Sequence, residues 1–394
     1  MLRGSFAPQN PQDDLDVKVR ALLPRHRAAG ARLASIDSQI VLDFGDVPDE
    51  YRAAQERAVL FDTSDRDLVE VKGRDAASFL HRLLANTVRT LEPGQGNRNL
   101  LLSSKGKCLF DFDLAVETER ITLSVASGNA AALLKALDTY LFSEKLALSD
   151  VSETHAPLSI CGPASAAIVA QVAGVATELA DHQTVIGQTV SGQTVSGSFG
   201  GAPARVTALP IAGSPGFRID AGPEHLEALW DALATAGATQ AGRIAYDILR
   251  VEAGWAEPGL DIDEHVYPQE ARLERAFSLD KGCYIGQEVV AKIDTYGGLN
   301  KRLVALRVSH DDPVVRGTRL HRDDGGEWRD LGVVTSWAYS FVLDTGLCLA
   351  YVKRRHQAAG TAFRLGDPNA PSGEATIVPL PVRANALAPT GEVE

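Results

Sequence analysis

Four cysteines lie scattered through 394 residues, at positions 108, 161, 283 and 348. None sits in a C-x-x-C pair or in a Cys/His cluster at metal-ligand spacing, which argues against a disulfide framework and against a zinc site built from sequence neighbours. No metal is expected. The chain also lacks any run of about 18 apolar residues, so no membrane span is expected. Its opening, MLRGSFAPQNPQDDLDVKVR, has no apolar stretch of the kind a secretory signal needs. The acidic residues there speak against a transit peptide, and a cytoplasmic location is the expectation. Positive charge is short as well: 39 Lys and Arg face 51 Asp and Glu, a formal net charge of −12. Phosphate backbones are held by basic faces, so nucleic acid is not an expected partner. What remains is 45% hydrophobic and 23% charged, the composition of an ordinary globular protein. At this length a single core usually splits, the limit being ~250 to 300 residues, so two or three domains are expected.

The order of elements reads as α+β. Residues 1–20 are rich in Pro, Gln, Asn and Asp and read as a tail, and the apolar spacing of VKVRALLPRHRAAGARL suits a short helix. The pattern then predicts a helix over Asp49–Val59, a strand over Leu68–Val71, and a helix from Asp75 to Leu84 opened by the capping chemistry of Arg74-Asp75. NRNLLLSS and CLFDFDLAVE read as strands joined by a KG hairpin turn, RITLSVAS as a third, and AAALLKALDTYLF as a helix. GQTVS occurs twice in tandem at 187–196, too few copies for a solenoid, and reads as one hairpin or surface loop. GPEHLEALWDALATAGA predicts an amphipathic helix after Pro223, and RIAYDILRVEAG another ending near Gly254. From KRLVALRV onward short β runs follow one another, with turns at DDGGEW, DTG and GDPNAPSGE. The domain plan is a region of two α+β halves over 21–298, a small β-barrel over 299–385, and a tail over 386–394.

Several residues stand out for chemistry. In KGCYIGQEVV, Cys283 lies between Gly282 and Gly286, two residues from Lys281. The lysine charge favours a thiolate, the glycines permit turns that expose a side chain, and Gln287 and Glu288 add polar groups beside Tyr284. A functional thiol is the favoured reading, against an inert residue in a tight turn. Cys108, Cys161 and Cys348 read as core fillers. Asp111 and Asp113 in CLFDFDL share one face of a strand, either as acceptors for a ligand or as a solvent-facing pair on an edge strand. Asn86 follows a helix and either caps it or reaches a ligand. Arg250 and Glu252 stand two apart, face different ways on a helix and each need a tertiary partner.

Five stretches in fixed order carry a family resemblance: DTSDRDLVEVKGRDAASFLHRLLANTV, LEPGQGNRNLLLSSKGKCLFDF, RVEAGWAEPGLDIDEHVYPQEARL, DKGCYIGQEVV and LGVVTS. The chain resembles the superfamily of the glycine cleavage T-protein, an aminomethyltransferase, and within it the YgfZ-type folate-binding proteins, whose K-[GC]-C-[FY]-x-G-Q-E signature is similar to KGCYIGQE over Lys281 to Glu288. The resemblance covers about residues 45–385 and implies a cloverleaf of α+β folate-binding units and an antiparallel β-barrel around a central channel for tetrahydrofolate. It implies an accessory protein for the assembly or repair of iron–sulfur enzymes, with Cys283 as the working thiol and iron–sulfur assembly proteins or client enzymes as partners. The alternative it implies is a tetrahydrofolate-dependent aminomethyl or one-carbon transferase.

Departures from the T-protein pattern bear on that choice. Phe110-Asp111 stands where the T-protein has two adjacent aspartates, Ser214 and Arg218 replace both glutamates of its Gly-Glu and Gly-Tyr/Phe-Glu element, Ala126 replaces an asparagine, and Tyr246 replaces the first arginine of R-D-x-L-R-x-E while Arg250 and Glu252 are kept. The resemblance implies folate contacts at Asn86, Asp111, Arg218, Tyr246 and Arg250. It also implies that three polar contacts of the transferase are missing or changed, and that PQEARLERA starts a helix.

Overall fold

A computed structural model describes residues 20–35, 39–174, 194–199 and 202–386, with backbone only at 194–198 and 202–203. Most of the tandem GQTVS repeat and both tails lie outside the described residues. A five-stranded antiparallel sheet runs in the order Gly96–Leu102, Cys108–Val116, Ile121–Val125, Asp67–Lys72, Ala147–Asp150. A six-stranded sheet runs Thr194–Phe199, Ala202–Ile211, Ser214–Ala221, Ala156–Cys161, Val59–Asp62, Thr239–Gln240, its last strand parallel to its neighbour. The third unit is a closed antiparallel barrel in the order Lys301–Val308, Thr345–Lys353, Trp328–Ser340, Arg319–Asp323, Ala362–Leu365, Gly373–Val378. Fold class and C-terminal barrel are as the sequence predicts. Among the described residues no helix is long and apolar enough to cross a membrane.

Strand alternation decides which side of each sheet is apolar. Leu101, Phe112, Leu114, Leu123 and Val125 pack with Phe79, Leu80 and Leu133 of the helices Ala76–Leu83 and Ala130–Asp138. In the second sheet Leu60, Leu158, Ile160, Val206, Phe217 and Ile219 pack with Trp230 and Leu233 of the helix Leu226–Thr235. Both sheets thus spend one face on helices, and the side chains between those positions point to the other face. In the barrel strand Thr345–Lys353, Cys348, Ala350 and Val352 fill the barrel, while Leu347, Leu349 and Tyr351 join a central core with Ile248, Leu249 and Val251 of the helix Arg243–Ala253.

Local chemistry moves several boundaries. The helix expected over Asp49–Val59 spans Val47–Glu56, because the Asp46 side chain accepts from the Asp49 N–H at 2.9 Å and Val59 is drawn into a strand. Asp75 does not cap Ala76–Leu83 with its side chain; it accepts from the Lys145 N–H at 2.7 Å instead. Residues 268–276, expected to start a helix, form successive turns. Asp111 and Asp113 are not on an edge strand, since Cys108–Val116 lies second in its sheet. The KG turn is present, closed by the Gly106 N–H donating to Ser103 O at 2.8 Å with Gly106 at φ 73°.

Candidate functional site

The free faces of the two sheets meet at a cluster of charged side chains that keeps some access, Arg66 being 25% and Asp113 29% exposed, and this region is the chamber discussed below. Arg98 and Asp113 are opposite each other in the ladder, as are Leu100 and Asp111, so Arg98 reaches Asp111 diagonally. Its Nε donates to Asp111 Oδ1 at 2.8 Å, its Nη2 bonds Oδ2, and its guanidinium lies 4.5 Å from the Trp255 ring centroid. From the other sheet Arg218 donates through Nη2 to Asp113 Oδ2 at 2.7 Å. Arg66 Nη2 stands 3.7 Å from that same oxygen. Arg66 is otherwise held by Ser124, donating from Nε to its Oγ at 3.1 Å and from Nη2 to its carbonyl at 2.9 Å. Tyr246, packed edge-on against Phe61, neighbours Arg66.

The electrostatics follow from this crowding. Burial pushes the Asp113 carboxyl up, but Arg218 and then Arg66 outweigh it and hold the group below the usual carboxylate range. Burial and the nearby Arg218 charge hold Arg66 below the ordinary guanidinium value. Arg98 is raised because the attraction of Asp111 overcomes the cost of burial. Burial, reinforced by Glu257, pushes Tyr246 up to about 12, so its hydroxyl is an O–H donor at neutral pH. Three guanidinium charges here face two carboxylates.

Two expected ligand contacts are otherwise engaged. Asn86 neither caps a helix nor offers its amide to the chamber: its Nδ2 donates to the carbonyls of Arg98 at 3.1 Å and Arg275 at 3.0 Å, and its Oδ1 accepts from the Thr87 N–H at 2.8 Å. Arg250, 2% exposed, donates to Asp247, to Asp261 at 2.9 Å and to Ser336 Oγ at 3.0 Å, with Glu257 at 2.8 Å from Nε. Glu252 accepts from Tyr51 at 2.7 Å and Ser340 at 2.6 Å. Both kept residues therefore tie the helix Arg243–Ala253 to its surroundings, the barrel included.

The KGCYIGQE segment forms a rim docked on the KG hairpin turn. A Cβ at Gly286 would lie 2.5 Å from Ser103 O and 2.8 Å from Gly106 Cα, and its φ is +79°, so only glycine fits there. Cys283 is exposed while Cys108, Cys161 and Cys348 are buried. Lys281 Nζ donates to His81 O, and burial lowers its amine to about 8, the neighbouring Cys283 working against that. Tyr284 is buried and its hydroxyl meets no partner among the described residues. Gln287 begins the helix Gln287–Tyr296, and Glu288 pairs with Lys292 at 2.6 Å on its exposed side. Among the described residues no group of three or more His, Cys, Asp or Glu is placed to hold a metal ion.

Arg66, Arg98 and Trp255 were not singled out in the sequence. Only Arg98 left a signal, since NRN on one strand and DFD on its hairpin partner place a base across from two acids.

Two sheets covered outside by helices, their charged inner faces in contact, and a six-stranded barrel packed on the helix Arg243–Ala253 define the class of fold. Residues 23–281 match the family model for the GCVT N-terminal domain, and residues 301–382 match the glycine cleavage T-protein C-terminal barrel domain. The chain belongs to the glycine cleavage T-protein family. It is 30% identical over 366 residues to an aminomethyltransferase of Rubrobacter xylanophilus, covering 91% of this chain and 92% of that one. To an aminomethyltransferase of Synechococcus elongatus it is 29% identical over 334 residues, 82% and 85% of the two chains. A crystal structure of the glycine cleavage system aminomethyltransferase T of Bartonella henselae shares the fold, with a TM-score of 0.77, 24% identity, and coverage of 92% and 96%.

Proposed function

We propose that the chamber binds a reduced folate, and that the protein works as a folate-binding accessory factor for iron–sulfur enzymes, with Cys283 as its accessible thiol. The donor and acceptor set fits such a ligand. Asp113 Oδ1 has no described partner and can accept from a pterin N–H, while Arg218 Nε, buried without a partner, and the Tyr246 hydroxyl can donate to its ring carbonyl and nitrogens. A reduced folate supplies amine nitrogens that carry a one-carbon unit. The chain's own residues hold it, orient it against the Trp255–Arg98 stack, and keep Asp113 ionised beside its arginines.

The observation that carries the accessory reading is the Arg98 fork on Asp111. Both oxygens of the carboxylate that matches the T-protein pair are held by a guanidinium. Asp113, the remaining carboxylate, is held by Arg218 and Arg66 as a weak base. Neither is then suited to take a proton from an incoming aminomethyl group. The thiol assignment rests on the exposure of Cys283 beside Lys281 and on the likeness of KGCYIGQE to the YgfZ-type signature.

The relatives named aminomethyltransferase favour a second reading, one-carbon transfer to tetrahydrofolate. One experiment separates the two. Cells lacking this gene are complemented with wild type or Cys283→Ala at equal protein level, an iron–sulfur enzyme is assayed, and aminomethyl transfer to tetrahydrofolate is measured with the purified protein. Rescue by wild type alone, without transfer activity, is the expected result. Transfer at an enzymatic rate, or equal rescue by both proteins, would overturn the accessory reading.

A further inference from the structure

The rim that carries Cys283 is pinned on both sides of the cysteine. After it, Gly286 lies on the hairpin turn of Ser103 and Gly106, where a Cβ would not fit. Before it, the rim is held by His81, a buried residue of the helix Ala76–Leu83. His81 Nδ1 faces the backbone N–H groups of Val88 at 3.1 Å and Arg89 at 3.4 Å. A backbone N–H can only donate, so Nδ1 is the acceptor and the ring proton sits on Nε2. That N–H donates to the Lys281 carbonyl at 3.1 Å, and Lys281 Nζ in turn donates to the His81 carbonyl. The two residues thus clasp each other, the side chain of each on the main chain of the other.

Burial, then the Lys281 charge and to a smaller extent that of Arg89, hold the imidazole below its ordinary value, so the ring is neutral at neutral pH and can accept at Nδ1. Arg89 and Cys283 are the other titratable groups that act on the Lys281 amine, whose Nζ lies 5.1 Å from the Tyr284 ring centroid. Arg82, next to His81, is turned to Glu144 at 2.7 Å. A free lysine side chain on a rim would spread its charge over many rotamers, and one bound at Nζ keeps it in one place. Gly282 alone, at φ 101°, separates that lysine from Cys283. We propose that His81 is a positioning residue for the Cys283 thiol, holding both the main chain and the ammonium of Lys281 so that the positive charge stays beside the sulfur. The fixed charge favours the thiolate, the form that reacts. The clasp uses no residue of the chamber. It rests on the reading of Cys283 as the accessible thiol, and it is tested on the purified protein.

The rate at which iodoacetamide alkylates Cys283 is followed from neutral to alkaline pH in wild type, His81→Asn, His81→Gln and Lys281→Met, with thermal unfolding measured beside it. His81→Asn keeps an acceptor for the Val88 N–H but cannot reach the Lys281 carbonyl, whereas His81→Gln keeps a donor for that carbonyl. The expected result is that His81→Asn and Lys281→Met move the rate profile to higher pH and slow alkylation at neutral pH by about threefold or more, while His81→Gln stays closer to wild type. A purely structural histidine would lower the unfolding temperature and leave the profile of the folded protein in place. A His81→Asn profile that overlays wild type would therefore overturn the proposal, whatever its unfolding temperature. In cells lacking this gene, His81→Asn should restore the iron–sulfur enzyme less well than His81→Gln. Equal rescue by wild type and Cys283→Ala, with the alkylation shift present, would sink the accessory reading and leave the clasp standing.

Discussion

Two buried clusters of arginine and carboxylate lie a few residues apart around Tyr246, and they differ in how completely their hydrogen bonds are spent. In the first, Arg243 and Arg250 face Asp247, Glu257 and Asp261, and each guanidinium nitrogen of both arginines has a partner: Arg243 donates to Asp247 at 2.8 and 2.9 Å and to Glu257 at 2.7 and 2.6 Å. In the second, Arg218, 6% exposed, has its Nε unmatched. Burying charge is costly in both, but the first cluster recovers the cost within the protein and the second does not. A closed network holds elements together; an open one keeps donors unspent. Retention of a family residue therefore does not decide whether it is free for a ligand, since Arg250 matches the T-protein motif and spends every guanidinium nitrogen within the protein, whereas Arg218 departs from it and keeps its Nε unmatched.

The largest expected effect is on stability. Arg250→Ala takes the guanidinium from buried Asp261 and one of two arginines from Asp247 and Glu257, and should cost about 3–5 kcal/mol in denaturant unfolding, whereas Arg218→Met, which leaves Asp113 still beside Arg66, should stay within about 1 kcal/mol of wild type. Equal losses would erase the distinction between the clusters. Next comes Tyr51→Phe, which deprives buried Glu252 of its 2.7 Å donor and should cost about 1–3 kcal/mol by the same measurement.

A smaller difference should appear in acid. Burial raises the Asp247 carboxyl, but Arg243 and Arg250 outweigh it and hold the group low. Asp113 is likewise held low by Arg218 and Arg66. A folded carboxyl below its unfolded value contributes stability that is present above the unfolded value, near 3.8, and is lost as pH falls through the folded one. Asp247→Asn should flatten the decline in unfolding free energy below about pH 4 more than Asp113→Asn, because Asp247 faces two fully engaged arginines. The smallest effect is expected at the rim: Cys283→Ala should unfold within about 0.5 kcal/mol of wild type, and only Cys283 should react with iodoacetamide in the native state.

The fold was legible because its apolar patterns have clean periods. Alternation in NRNLLLSS and CLFDFDLAVE, the helical period of RIAYDILRVEAG, and the dense β runs after residue 300 each survive into the structure. What escaped were features set by partners distant in sequence: Asp75 turned from capping its helix to the backbone of Lys145, and Asn86 turned from cap or ligand to the carbonyls of Arg98 and Arg275. The chamber was half legible. Strand alternation put Asp111 and Asp113 on one face, but their arginines come from a turn, a hairpin partner and the opposite sheet, and no local pattern joins Arg66 to Arg218.

The most direct test of the contrast between the clusters is the unfolding temperature of wild type, Arg218→Met and Tyr51→Phe with increasing tetrahydrofolate. A ligand that binds the folded chain raises that temperature with concentration. The open-cluster account predicts a rise for wild type and for Tyr51→Phe from its lower starting point, and little or none for Arg218→Met. No rise in wild type, or the same rise in all three, would contradict it.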